Sequence, residues 1–212
     1  GLLLIVFIIT ISINVNTQSS YSSLDKFKDI FSKRFATAVE CGSVPTNGCI
    51  VTQNTTFVRG VYNLPDGILA GEVSGQGASG IVLDCNSSII DGTLNLDSVG
   101  ILIGGIDQTI KNCIISNYYT GVWLGTSNSL FSSNTLLNNS KYGIEIISYN
   151  NTISSNFLVK NGAGINIKTA SNDNTIIDNF IIGNVLNGIQ FIPDEFNLGS
   201  FPTSADVLNN TL

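Results

Sequence analysis

The chain has 212 residues, enough for one domain or a modest solenoid, and only 11% of them are charged. Nine Lys and Arg stand against fifteen Asp and Glu, giving a net charge of −6 with no basic stripe, which argues against a nucleic-acid partner. His and Met are both absent, so imidazole and thioether ligands are not available to a metal.

Residues 1–15, GLLLIVFIITISINV, form an apolar run of secretory-signal length, short for a membrane span. With the polar stretch up to Ser23, it predicts export, either as a cleaved signal or as a retained anchor. This is also the one membrane contact expected of the chain. The competing reading is a buried strand. Residues 24–40 are the one helical segment: Leu24, Phe27, Ile30, Phe31, Phe35 and Ala38 fall on one face, with Asp and Lys elsewhere. The expectation is an amphipathic helix capping the open first turn of a repeat structure; a membrane-surface helix is the alternative.

Cys41 and Cys49 bracket a tight Gly/Pro segment and are expected to close a small disulfide loop in an exported chain. Cys85 and Cys113 lie in the repeats and read as small buried apolar residues. Residues 41–79, with Gly60, Pro65, Gly67, Gly71, Gly75 and Gly77, predict irregular first coils. Residues 80–191 are the regular part. Residues 192–212 read as an inserted loop and the start of a further coil. The chain begins without Met and stops inside a coil, so a longer reading frame is expected at both ends.

The regular part repeats. A Gly followed by apolar–x–apolar recurs at Gly100, Gly121, Gly143, Gly164 and Gly188, in steps of 21, 22, 21 and 24 residues. Three markers in one register, the glycines and two rows of Asn, signal a repeat architecture. A period near 22 is too short for a helical hairpin and suits one turn of short strands. Stacked turns give parallel strands about 4.8 Å apart, in a right-handed path. The fold class is therefore all-β: a single-stranded right-handed parallel β-helix. Alternation places Ile101 and Ile103, Val122 and Leu124, Ile144 and Ile146, Ile165 and Ile167, and Ile189 and Phe191 in core columns. Leu102, Trp123, Glu145, Asn166 and Gln190 then point outward, and a one-residue slip would put Glu145 inside.

Asn is a poor strand residue, yet Asn112, Asn134, Asn156 and Asn179 recur on the same beat, with Asp91 one coil earlier. A second row stands five residues later, at Asn117, Asn139, Asn161 and Asn184. Asn tolerates left-handed backbone at sharp bends, and its amide can both donate and accept along a stacked file. The first row is expected to form a structural ladder of such bend residues.

Ile81-Val-Leu-Asp-Cys-Asn86, with the Asn-Thr-Ile, x-x-Asn and Gly-Ile-x-Ile phrases after it, resembles the secreted right-handed β-helix family. That grouping covers NosD-like and pectate-lyase-like repeat proteins and the carbohydrate-binding and sugar-hydrolase (CASH) repeats. The likeness spans residues 80–191. It implies export and contact with polysaccharide. The copper association of NosD-like proteins is not carried over, because the chain has no His or Met.

The residues support three functional readings. Catalysis needs converging carboxylates, and Glu145, Asp107, Asp173 and Asp178 fall on different turns or faces of the repeat, so no catalytic residue and no cofactor are assigned; missing coils could carry them. A binding role rests on Trp123, the one Trp, pointing outward to stack on sugar rings, with Glu145, Asn166, Tyr119 and Tyr142 nearby. The alternative is that Trp123 packs under a flanking loop. A third reading is a stiff surface rod or adhesin glycosylated at the sequons Asn54, Asn86, Asn138, Asn150 and Asn209. The expectation is an exported, non-catalytic module at the cell surface or secreted, touching polysaccharide through an outward sheet face.

Overall fold

Short runs of Ile, Val, Leu and Thr separated by Asn, Ser and Gly cannot bury themselves alone, so each turn of chain stacks on the next. In the computed structural model, which describes residues 38–72, 78–168, 171–192 and 205–212, this gives a parallel β-solenoid of about six turns. Each turn contributes one strand to each of three sheets. The first sheet stacks β1 (Ile50–Val51), β4 (Ile68–Gly71), β7 (Val99–Gly104), β10 (Thr120–Leu124), β13 (Tyr142–Ile146), β16 (Ala163–Lys168) and β19 (Ile189–Ile192). The second stacks β2 (Thr55–Thr56), β5 (Val82–Asp84), β8 (Thr109–Lys111), β11 (Leu130–Ser132), β14 (Thr152–Ser154), β17 (Asn174–Ile177) and β20 (Ala205–Leu208). The third stacks β3 (Val61–Asn63), β6 (Ile89–Asp91), β9 (Ile114–Ser116), β12 (Thr135–Leu137), β15 (Phe157–Val159) and β18 (Phe180–Ile182). The three-strand order is present from β1 onward, inside the stretch expected to be irregular.

The core columns of the first sheet stand as the alternation requires up to Ile167. In β19, Ile189 is only partly buried and Phe191, expected inside, is 44% exposed, because β19 is the end strand of that sheet among the described residues. Ile101, Val122, Ile144, Ile165 and Ile189 pair in one file, and Ile103, Leu124, Ile146, Ile167 and Phe191 in the next. Leu83, Ile110, Phe131, Ile153 and Ile176 fill the core from the second sheet, and Ile90, Ile115, Leu136, Leu158 and Ile181 from the third. The repeated Gly has a steric cause. A Cβ on Gly143 would sit 2.6 Å from the Gly164 carbonyl oxygen of the next coil.

The corners obey one rule. From Asn128 onward a residue in the left-handed region turns the chain, and the next residue points a polar side chain inward. At the corner between second and third sheets, Asn112, Ser133, Ser155, Asp178 and Asn209 have φ between 51 and 57°. Asn134, Asn156, Asn179 and Asn210 come directly after the last four. Asn134 donates from its backbone N–H and its Nδ2 to Asn156 Oδ1, at 2.9 and 3.2 Å. Asn156 repeats this to Asn179, and Asn179 to Asn210. Each Nδ2 also donates to a core carbonyl, as Asn156 does to Phe131. Between third and first sheets, Asn139, Asn161 and Asn184 form a second such file. Between first and second sheets, Ser129, Asn151 and Asn174 form a third.

Two expected ladder members stand elsewhere. Asn112 is the left-handed residue, one place early, and its Nδ2 donates to Asp84 Oδ1 at 3.0 Å. The inward place is taken by Cys113, whose N–H donates to Asn134 Oδ1. Asp91 is not at this corner at all; it ends β6 in the third sheet, opposite Ser116. Nor are Asn134, Asn156 and Asn179 the left-handed residues themselves, since the residue before each takes that strain.

Cys41 and Cys49 are bonded, as are Cys85 and Cys113. The second bond corrects the reading of Cys85 and Cys113 as apolar thiols. The two residues stack one coil apart at the same corner, with Cα atoms 4.8 Å apart, which is the strand spacing itself. The expected capping helix and leader fall, apart from residues 38–40, outside the described residues. No helix occurs among the described residues, and Glu40 bridges to Ile50 in extended backbone.

Candidate functional site

Strand register brings most of the expected sugar-contacting residues into one file. Outward on the first sheet, Ile50, Leu69, Leu102, Trp123, Glu145, Asn166 and Gln190 pair in sequence along the axis. Pointing out of the strand does not mean facing water here. Trp123 is 4% exposed, Glu145 9% and Asn166 0%. Trp123 packs in an apolar cluster with Ile50, Leu69, Val99 and Leu102, against which Ala38 and Ile147 lie. The polar end of the file is internally bonded. Asn166 Nδ2 donates to Glu145 Oε1 at 3.3 Å, Gln190 Nε2 to Asn166 Oδ1 at 3.1 Å, and Lys168 Nζ lies 3.7 Å from Glu145 Oε1. Tyr142 is buried and Tyr119 half-buried, with Lys141 Nζ 4.9 and 5.1 Å from their ring centres. The stacking platform expected at Trp123 is therefore closed: the ring offers no open face to a sugar, because the sheet face is covered.

The open polar surface lies on the second sheet. The corner that enters it carries Asp107, Asn128, Asn150 and Asp173, all left-handed with φ of 57–60°. Beside this row stand the outward strand residues Thr109, Leu130, Thr152 and Thr175, paired in file. Asp107, Thr109, Asn128, Leu130, Asn150 and Thr152 line a groove of about 440 Å³ running across three coils. Leu130 is 37% exposed and supplies an apolar floor among amides and hydroxyls. Asn150 Nδ2 donates to Asn128 Oδ1 at 2.7 Å, so the corner amides are oriented along the axis. At the sheet's far edge Lys111 Nζ lies 3.4 Å from Asp84 Oδ2. Burial pulls the Asp84 carboxyl upward, but hydrogen bonds from Asn112, the Asn86 backbone and Lys111 outweigh it and hold it below the usual value of 3.8. Sequence reasoning missed this groove because it sought aromatic rings. The signal available was a Thr or Leu opening β8, β11 and β14, two places after Asp107, Asn128 and Asn150.

The five sequons also acquire places. Asn86, Asn138, Asn150 and Asn209 are exposed left-handed corner residues, and Asn54 accepts the Val82 N–H at 2.8 Å. In Asn138-Asn-Ser140, Asn150-Asn-Thr152 and Asn209-Asn-Thr211 the second Asn is the ladder residue. The corner rule alone writes most of each sequon.

A family model described as "Periplasmic copper-binding protein (NosD)" matches residues 43–212, the whole solenoid. The chain belongs to the NosD family. Comparison with curated proteins and with solved structures gives no match. NosD proteins are periplasmic by description, so an exported β-helix is the coarse assignment. The copper in that description does not fit this member. It has no His and no Met, and all four Cys are spent in disulfides. No group of three Cys, Asp or Glu that could hold a metal occurs among the described residues. Copper is held by imidazole, thiolate or thioether, and this NosD chain presents amides, hydroxyls and scattered carboxylates instead.

Proposed function

We propose that this chain is an exported, non-catalytic NosD-type β-helix that contacts polysaccharide, and that the contact lies along the second-sheet groove and not on the first-sheet face around Trp123. The observation that carries the reading is the groove's periodicity. An Asp or Asn at the corner and a Thr or Leu at the strand beside it recur in each of the four coils from Asp107 to Thr175, about 4.8 Å apart, close to the length one pyranose adds to an extended glycan. A chain laid along the axis would meet a polar corner side chain at each successive sugar, with the Leu130 side chain set between the Thr109 and Thr152 hydroxyls. With Asp107 in the wall and a net charge of −6, neutral glycans suit the groove better than acidic ones.

The carboxylates support a non-catalytic role. Asp107 and Asp173 share a corner row but stand three coils apart, roughly 14 Å at the strand spacing, beyond the roughly 5–9.5 Å that paired glycosidase carboxyls require. Glu145 is engaged by Asn166 and Lys168 under a covered face. Glycan-array and polysaccharide co-sedimentation assays test the proposal. Binding of neutral polysaccharide should fall about tenfold or more, the loss of roughly 1.4 kcal/mol, in Asn128→Ala/Thr152→Val, with no reducing or unsaturated ends released. Binding to no glycan, or full binding by the double variant, would refute the groove; released sugar ends would refute the non-catalytic part.

A further inference from the structure

An Asn followed by Gly is the least hindered place for a chain to modify itself. The Gly nitrogen has no Cβ beside it and can reach the carbonyl carbon of the preceding side chain. Asp-Gly is the slower relative. The chain holds five such pairs: Asn47-Gly48, Asp66-Gly67, Asp91-Gly92, Asn161-Gly162 and Asn187-Gly188. In the first four the Gly nitrogen is tied down. The Gly48 N–H donates to the Gly67 carbonyl, that of Gly67 to Leu64, that of Gly92 to Ser116 and that of Gly162 to Asn139, at 2.7–2.9 Å. Both Asn side chains in this set are held too. Asn47 Nδ2 donates to Asp66 Oδ2, and its Oδ1 accepts the Asp66 N–H. Asn161 is fully buried, with its amide bonded to Asn139, Leu136 and Asn184. Asn187-Gly188 differs on every count. No acceptor takes the Gly188 N–H among the described residues. Asn187 is exposed, and its Nδ2 donates to Gln190 Oε1 at 2.9 Å on the surface. The pair sits at a corner where the chain takes 7 residues from Ile182 to Ile189, against 6 between their partners Val159 and Ile165 one coil earlier.

We propose that Asn187 is a self-modification site that deamidates in the folded chain, while the fold protects the other four pairs. The Gly188 nitrogen attacks Asn187 Cγ. The N–Cγ bond forms, the Cγ–Nδ2 bond breaks, and the Gly188 amide proton passes through water to the leaving nitrogen, which departs as ammonia. The resulting succinimide is opened by water at either carbonyl, leaving Asp or isoaspartate at 187. Either product sets a carboxylate, which accepts only, against Gln190 Oε1 where an amide donated before. Gln190 in turn donates to Asn166 at the end of the first-sheet file, so the change is felt there. Isoaspartate also adds a carbon to the main chain between the Asn187 and Gly188 carbonyls and the rest of the corner. Those carbonyls accept the Gly164 and Ile165 N–H groups, both at 2.9 Å. Modification therefore loosens β19 from β16.

Ageing the full chain at neutral pH, native and unfolded in urea, tests this. Trypsin puts the three Asn-Gly pairs on separate peptides, 35–59, 161–168 and 169–212. In the native chain the mass gain of amide-to-acid conversion, and labelling by an isoaspartyl methyltransferase, should appear at Asn187 and at neither other pair. In the unfolded chain all three should react. Gly188→Ala, whose added Cβ would meet first the end of the Leu212 side chain at 3.0 Å, should lose the signal with circular dichroism unchanged. Hydrogen exchange at the Gly164 and Ile165 amides should quicken in aged wild type and not in aged Gly188→Ala. The same distribution in native and unfolded chains overturns the proposal, as does a native chain unmodified at Asn187 or a Gly188→Ala variant that reacts as fast as wild type. Unaltered exchange in the aged wild type refutes the loosening of β19.

Discussion

Asn150 and Asn156 are the same residue type on adjacent corners, and they do opposite work. Asn150 turns the chain in left-handed backbone with its side chain exposed. Asn156 is fully buried, and its amide serves Asn134, Phe131 and Asn179 at once. Truncating Asn156 strands a backbone N–H and a carbonyl in the core, each costing about 1–3 kcal/mol. Asn156→Ala should therefore lower the thermal midpoint by several degrees, at about 2–4 °C per kcal/mol for a chain of this size. Asn150→Ala should move it by a degree or two at most; equal effects would contradict the corner rule. The distinction is only half legible in sequence. Both the left-handed position and the inward position suit Asn, so spacing alone puts Asn112 and Asn117 into files that Cys113 and Tyr118 occupy. Tyr118 shows how far the inward place reaches: its hydroxyl donates to the Leu64 carbonyl at 2.6 Å, and burial pushes the phenol well above its ordinary value.

At the scale of elements, the corner holding Cys85 and Cys113 departs from its neighbours. Between paired residues of the second and third sheets, one coil uses residues 85–88 where the next uses only 112 and 113. That insertion hides the stacking of the two Cys from any fixed period. Their bond closes a 28-residue loop, worth about 3.5 kcal/mol in the chain-entropy account. Cys85→Ala/Cys113→Ala should lower the urea midpoint by a corresponding amount, and reductant should lower wild type further than that, because it also opens the Cys41–Cys49 bond, while the double variant responds to reductant only through Cys41–Cys49. Asp84, at the end of β5 beside this corner, adds an acid-sensitive contribution. Its carboxyl titrates below its usual value, so it stabilises the fold above about pH 4 and the benefit is lost as pH falls through the lowered value. Stability of Asp84→Asn should accordingly decline less steeply than wild type below pH 4; a parallel decline would remove the contribution assigned here.

For the whole molecule, the solenoid, its inward columns and its outward file are legible because Gly and apolar alternation report the pleat directly. What covers a sheet face is not written in that face's own strands, and for this reason alternation sets Trp123 correctly on the backbone and wrongly in solvent. As the single Trp, it offers a direct check. Its fluorescence should be blue-shifted and weakly quenched by iodide, and a red-shifted, readily quenched emission would reopen the first sheet as a contact surface.

Because the coils from Ser129 to Asn184 repeat the same three polar sockets, length should matter modulo one turn. Copying residues 135–156 in tandem would present each socket with another socket, and the lengthened rod should fold. Removing one residue from the same stretch would misalign every file above it, and should be far more damaging than the much larger insertion.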